Sequence, residues 1–505
     1  MSATVRSNLA LSLANSTATR LGNLVLGIVL ARLLAPGDFG VYAIGLTVLA
    51  VLSAISELGF TADLVRTGNI PARAPTLLTI GLAFSSGLAL LTWATAEPLA
   101  AALGSVEAAP VLKALSICLV LSGVSAVPMA ILQRRFQQGR QLLADALSFV
   151  ISTVLVLVMI EWGWGVMSLA WSRVAAQVVT VVALCLMSGY RPRFGLNPAV
   201  ARQSLRFGLP LTAANLLSWA LLSIDNVVIS RGLGSVALGF YVLAFNISSW
   251  PMTALGQAIR AVALPAFARL HERSGASPPD GDGDAVDEAR LRRERGRALQ
   301  VWVALTWSAS LPIGVLLFVL ATPLVVAVYG TKWENAAPAL AALAAFGALR
   351  PLFDTFATFL VSRGRTARVL MVQVVWAVLL VPSTVVGVRM GGIAGAGWAH
   401  VVVSLTIILP FYLLLVRSEI DGVLALLRMT LPPLAAAVPA ALCAWVVAAS
   451  LERPWLALLC GGVVGLGVYL LPLTGWLLRM GRPDDVLSSS APAHPVPTTS
   501  RRHLT

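Results

Sequence analysis

The sequence predicts an all-α polytopic membrane protein of fourteen transmembrane helices, two repeat-related six-helix bundles followed by two C-terminal helices. Three observations predict it. Hydrophobic residues make up 58% of the 505 and charged residues only 11%, less than half the roughly 25% charge of soluble domains. The basic residues, 36 against 22 acids, segregate to alternate loops. Residues near the start of the chain recur at a constant offset further on. A net charge of +14 on a soluble chain would point to nucleic acid; at a mean hydropathy of +0.86 it points to positive-inside asymmetry.

A spanning helix needs about 20 mostly apolar residues. The apolar runs place the first six spans near 9–31, 40–64, 76–96, 110–131, 141–160 and 165–188. Six more fall near 205–230, 236–266, 298–322, 335–361, 366–388 and 393–416, and two near 424–449 and 454–477. The eighth contains Pro251 and Pro265, so a kink is expected there. With both termini cytoplasmic, the outer loops hold only Arg32, Arg231, Lys332, Arg389 and Arg453. The spans hold Arg20, Lys113, Arg173, Arg260 and Arg350, and every other basic residue falls on the inner side. One missed or invented span would invert every later loop and destroy that asymmetry. The expected location is a bacterial cytoplasmic membrane.

The predicted organisation is an N-terminal bundle over 1–190, a second over 191–420, helices thirteen and fourteen over 421–480, and a disordered tail over 481–505. Within the second bundle, 267–297 reads as a solvated cytoplasmic linker carrying Asp280, Asp282, Asp284, Asp287 and Glu288. Its alternating acids resemble a calcium loop, but Ala285 stands where glycine is required and Leu291 where the closing Glu belongs. Cys118, Cys185, Cys443 and Cys460 sit in apolar runs without metal or disulfide spacing. The first apolar run is too long for a signal peptide and reads as a retained helix. No phosphate-binding Gly-rich loop is present, so direct use of ATP is not expected, and neither are covalent chemistry, a cofactor or a metal.

The repeat has an offset of 199. Arg32, Leu34, Gly40 and Tyr42 match Arg231, Leu233, Gly239 and Tyr241. Both copies open a span on the same side, so the repeats are parallel, a transporter plan. The stretch from Leu30 to Tyr42, with Ser56-Glu57-Leu58-Gly59-Phe60 and Leu64-Val65-Arg66 after it, resembles the opening signature of polysaccharide biosynthesis proteins. These are the oligosaccharide flippases of the multidrug/oligosaccharidyl-lipid/polysaccharide exporter superfamily. Asp225-Asn226, Arg231 to Gly234, Gly239-Phe240-Tyr241 and the turn Tyr329 to Trp333 are similar to further landmarks of that family. The resemblance runs from about residue 5 to 420. It implies translocation of polyprenyl-diphosphate-linked oligosaccharide repeat units, with no enzymatic activity.

A diphosphate crossing at membrane depth needs cationic, hydrogen-bonding partners, and Arg offers paired donors to phosphate. The first span carries Asn15, Thr19, Arg20 and Asn23 on one polar stripe, which is expected to line a cavity with Arg20 near mid-depth. Arg350 and Asp354 are spaced i, i+4 on one face, as cavity groups or as an ion pair. Glu57, Asp225 and Asn226 are further cavity candidates, the two acids able to protonate in a cycle. Arg173 and Arg260, with Gln257, complete the set. Arg32 and Arg231 are expected to anchor helix ends by snorkelling, and His400 is a lone histidine without an assigned role. Expected partners are the lipid-linked glycan, membrane lipids, and a polysaccharide polymerase and glycosyltransferases, but no nucleic acid. The competing readings are a drug or metabolite exporter of the same fold and a membrane glycosyltransferase or polymerase.

Overall fold

The computed structural model describes residues 22–135, 137–275, 284–419 and 423–480. Among them there is helix but no strand, as expected where every backbone polar group must be satisfied without water. In chain order the helices are α1 (Gly22–Leu33), α2 (Pro36–Ser56), α3 (Phe60–Thr67), α4 (Ile70–Ala94), α5 (Ala96–Ala102), α6 (Ala109–Arg134), α7 (Gln138–Glu161) and α8 (Val166–Ser188). Then come α9 (Pro198–Gly275), α10 (Asp284–Val319), α11 (Ala321–Tyr329), α12 (Ala337–Ser362), α13 (Thr366–Val403), α14 (Leu409–Val416), α15 (Val423–Ala449) and α16 (Pro454–Met480). Short 3-10 turns at Val106–Ala108 and Thr331–Ala336 lead into α6 and α12, and a π-helical turn, Ser404–Ile408, joins α13 to α14.

Eleven helical stretches among the described residues are long and apolar enough to cross a membrane, so the protein is a multi-pass membrane protein. That is three fewer than the fourteen expected: two continuous helices each cover two expected spans, and of the first expected span only the short helix Gly22–Leu33 lies among the described residues. The 78 residues of α9 amount to roughly 117 Å at 1.5 Å per residue, several times a ~30 Å bilayer core. The helix is broken at Gly234, whose φ of 84° and ψ of 177° no helix accommodates. A second break falls at Gly391 and Gly392 in α13, the latter at φ 58°. Beyond it the two arms of α13 press together so closely that a Cβ on Gly395 would lie 1.9 Å from the Gly387 carbonyl oxygen. Both breaks fall in the gaps expected between spans, at 231–235 and at 389–392. The expected kink at Pro251 and Pro265 takes a different form, since the one non-helical residue within α9 is Gly234. The linker expected at 267–297 is largely helix, as α9 runs to Gly275 and α10 begins at Asp284; residues 276–283 lie outside the described set.

The chain divides into two compact units. The first comprises residues up to Ser249, Ala321–Phe346 and Gln373–Leu405. Its core gathers Val41, Ile44, Leu112, Leu115, Tyr241 and Trp333, all nearly inaccessible. The second comprises Trp250–Leu320, Gly347–Val372 and the chain from Thr406. There Tyr412 stacks between Phe353 and Phe356 at centroid distances of 5.9 and 5.7 Å. Tyr469 donates to the Ser308 carbonyl at 3.0 Å, so its buried hydroxyl is satisfied.

Candidate functional site

Three polar clusters of the first unit lie at the two ends of α2 and midway between. At its start, α2 is fixed by Pro36 in the first turn and by Asp38, whose carboxylate accepts from the Ala35 amide at 3.0 Å. This presents Phe39 and Gly40 to the second arm of α9. There the backbones touch: a Cβ on Gly40 would sit 1.6 Å from the Ser235 oxygen, and one on Gly239 would sit 1.9 Å from the Pro36 oxygen. The repeat-related glycines therefore form the crossing point of the two sequence halves, where no side chain fits.

Trp333 closes the same end. It is fully buried, with Phe39 and Phe240 set edge-on at centroid distances of 5.1 and 5.9 Å. Its indole N–H donates to the Ala31 carbonyl at 2.6 Å. Lys332 Nζ donates to the carbonyls of Arg32 and Leu34, both at 2.8 Å. Arg32 in turn donates to Val328 and Ala327 at 2.8 and 2.9 Å. The terminal carbonyls of α1 and α11, which no intrahelical donor satisfies, are thus capped reciprocally. Arg32 holds a helix end as expected, but through carbonyls rather than by reaching for lipid headgroups. Ser230 adds a hydroxyl bond to the Leu103 carbonyl.

The other end of α2 is ionic. Leu58 and Gly59 adopt φ of 45° and 66°, breaking the helix before α3. The first arm of α9 packs into that break, and a Cβ on Gly208 would lie 1.9 Å from the Leu58 oxygen. Next to it Asp63, wholly inaccessible, accepts from Arg73 at 2.7 Å and from the Ser204 hydroxyl at 2.7 Å. Arg73 also donates to Ser204 at 2.8 Å and to Gln203 at 2.9 Å. Arg66 reaches the second Asp63 oxygen at 3.3 Å and lies 4.3 Å over the Phe207 ring. A buried carboxylate with this many donors is compensated. Removal of one partner would strand it.

Midway, Asp225 accepts from the Tyr241 hydroxyl at 3.1 Å and shares a 2.8 Å hydrogen bond with His400 Nε2. All three side chains are buried. The Phe346 ring lies against the imidazole at 4.8 Å. Asn226, one residue on, donates to the Thr47 hydroxyl of α2 at 3.0 Å.

Of the expected cavity residues, the structure brings Asp225 and Asn226 into the centre of the first unit. Asn15, Thr19 and Arg20 lie outside the described residues, as does the side chain of Arg260. Asn23 is exposed, and so is Glu57 at the break after α2. Arg173 is exposed on α8, within electrostatic reach of the Tyr42 hydroxyl. Arg350 and Asp354 are half-buried on α12, in the second unit. Sequence reasoning missed Asp63, Arg73, Ser204 and the role of His400. Asp63 could have been found as a carboxylate three residues before Arg66 inside an apolar run. The His400–Asp225 pair joins positions 175 residues apart and carries no local signal. Outside the spans, Glu97 is held below the usual carboxylate range by its hydrogen bond with Lys113 at 2.9 Å.

The model of the polysaccharide biosynthesis protein family matches residues 29–338. The chain belongs to this family. Among curated relatives, it is 27% identical over 395 residues to the succinoglycan biosynthesis transport protein ExoT of Rhizobium meliloti strain 1021, covering 78% of this chain and 75% of that one. It is 23% identical to the lipopolysaccharide biosynthesis protein WzxC of Escherichia coli K12, with 78% and 77% covered. The fold is similar to that of the lipid II flippase MurJ in an inward closed conformation, at TM-score 0.72 and 14% identity, covering 93% of this chain and all of that one. An inward-facing MATE family multidrug transporter of the MOP superfamily follows at TM-score 0.58 and 18% identity, covering 79% and 94%.

Proposed function

We propose that the protein is a flippase that carries a polyprenyl-diphosphate-linked oligosaccharide repeat unit across the bacterial cytoplasmic membrane by alternating access. The observation that carries this reading is the crossing of Gly40 and Gly239 under the Trp333 plug. A gate formed by repeat-related backbone contacts can separate or close as the two sequence halves rock. The distribution of basic residues supports an orientation with the Trp333 end outside and the Asp63 end and both termini in the cytoplasm. Fourteen crossings follow if each glycine break, at Gly234 and at Gly391-Gly392, is a turn between two spans and α1 extends toward the N-terminus. In this plan the sequence halves 1–190 and 191–420 are the moving bundles, and α15 and α16 flank them.

The headgroup is expected to ride on arginines while the polyprenyl tail stays in lipid. Arg20, Arg173, Arg260 and Arg350 are the proposed phosphate donors, with Asn15, Thr19, Asn23 and Asn226 supplying hydrogen bonds. Polymerase and glycosyltransferase partners at either face would supply and consume the substrate. Reconstituted protein tests the reading. In liposomes holding a fluorescent polyprenyl-diphosphate glycan, inner-leaflet headgroups become accessible to an outside quencher at a rate set by the protein. Headgroups that stay protected while a cationic dye is effluxed would identify a drug exporter instead.

A further inference from the structure

We propose that the turn between α12 and α13 binds the phosphate of an anionic phospholipid in the adjoining membrane leaflet. The site needs only the membrane fold of the second unit and does not rest on the flippase reading.

The turn is built from arginine. Arg363 and Arg365 flank Gly364, whose φ of 70° lets the chain reverse, and Arg368 follows in the first turn of α13. That first turn carries no acid, although the positive end of a helix favours one. Compensation comes instead from Glu419, beyond α14. It is buried, and one of its oxygens accepts from Arg363 at 3.3 Å and from Arg365 at 3.1 Å. One carboxylate thus answers two guanidinium groups. Arg368, three residues after Arg365, and Arg417, two before Glu419, are exposed and add to the excess of positive charge.

Donors are left over as well as charge. Arg365 Nη1 is buried with no hydrogen-bond partner, and a buried donor without an acceptor is costly. Arginines in the first unit are used differently. Arg134, Arg135 and Arg140 donate to the carbonyls of Val65, Ser188 and Met187, and so hold helix ends in place. At the α12–α13 turn two arginines share a single carboxylate oxygen. A guanidinium fork is matched by a pair of oxygens on one phosphate, which the protein does not supply there.

An apolar stripe runs down α13 from these arginines. Met371, Val374 and Val378 follow Arg368 at steps of three and four, on one helix face, and all three are exposed. From Arg368 to Val378 the helix rises about 15 Å, half of a ~30 Å hydrocarbon core. Arginine at headgroup level above an apolar stripe one leaflet deep has the shape of a phospholipid. The phosphate meets Arg365 and Arg368, and an acyl chain follows Met371 to Val378. A zwitterionic lipid would bring its own cation against the surplus arginines, whereas an anionic one neutralises them.

Native mass spectrometry of the intact protein, in detergent holding equal phosphatidylglycerol and phosphatidylcholine, tests the site. Wild type should retain phosphatidylglycerol in preference. The preference should fall about fivefold for each arginine removed in Arg365→Gln with Arg368→Gln. Arg368→Gln alone, which leaves the Glu419 bridge untouched, should lose about fivefold without a change in melting. Arg191→Gln with Arg193→Gln, in the exposed segment before α9, removes the same charge and should keep the wild-type preference. Equal losses in the two double variants, or no preference in wild type, would overturn the site, because lipid would then follow overall charge. Replacing phosphatidylcholine by a polyprenyl diphosphate separates the sources. Displacement of phosphatidylglycerol from wild type, but not from the Arg365 and Arg368 variant, would assign the turn to that lipid and overturn the phospholipid proposal.

Discussion

The two ends of α2 are closed by opposite chemistry. At one end Gly40 and Gly239 let backbones touch and Trp333 fills the gap between Phe39 and Phe240. At the other, Asp63 is buried under Arg73, Ser204 and Arg66. Apolar contacts of the first kind are non-directional and lose little by sliding. Buried ionic contacts of the second kind are all-or-none, because a charge left without its partner is expensive. The first end joins close apolar packing to directional bonds onto helix-end carbonyls, and the second is a buried ionic cluster. The difference also fixes how each end fails when mutated.

The largest effect is expected from Gly40→Val. Its Cβ meets the Ser235 carbonyl, which cannot move aside like a side chain, so the crossing must separate. Transport in the liposome assay should fall below detection, and thiol probes should label introduced cysteines near Gly239. Retained transport would show that the crossing is not a gate. Arg73→Ala comes next, because it strands Asp63; a loss of about 3–5 kcal/mol is expected, read as a lowered melting temperature. Asp63→Asn combined with Arg73→Gln should recover much of it, since the stranded charge is gone. Trp333→Ala should cost about 3–5 kcal/mol by cavity formation and lost packing and increase labelling at the outer end, whereas Trp333→Phe should cost less. The smallest effect is at the exposed pair of Glu97 and Lys113. Because the folded protein holds Glu97 below its ordinary value, any contribution is present above the normal Glu range and fades as pH falls through the lowered value. Glu97→Gln should leave melting at neutral pH unchanged.

The positions of several spans could be read from apolar run lengths, which track bilayer thickness directly. The expected spans near 110–131, 141–160, 165–188 and 424–449 match α6, α7, α8 and α15 closely. The gaps expected between spans at 231–235 and 389–392 coincide with the breaks at Gly234 and at Gly391-Gly392, because glycine-bearing turns interrupt the apolar runs there. In the candidate site, Asp225 was legible as a charge at membrane depth. Its partner His400 was not, since pairing across 175 residues is a property of packing and leaves no spacing. Gly40 and Gly239 were visible as repeat markers, yet only the crossing of their backbones explains why both are glycine. Tyr241 was likewise only a repeat marker until its hydroxyl proved to meet Asp225. Trp333 stood in a recognisable turn, but its burial depends on Phe39 and Phe240 from two distant helices.

Reciprocal motion of the two ends is the claim that most needs direct measurement. Spin labels on a background lacking the four native cysteines would report it, one pair at Leu33 and Val236 and another at Ala62 and Arg202, all exposed positions. Distances within each pair would be followed in liposomes with and without polyprenyl-diphosphate glycan. Alternating access predicts two populations in which a lengthened distance at one end accompanies a short distance at the other, with glycan shifting their ratio. Distances that stay fixed at both ends, or lengthen together, would contradict it.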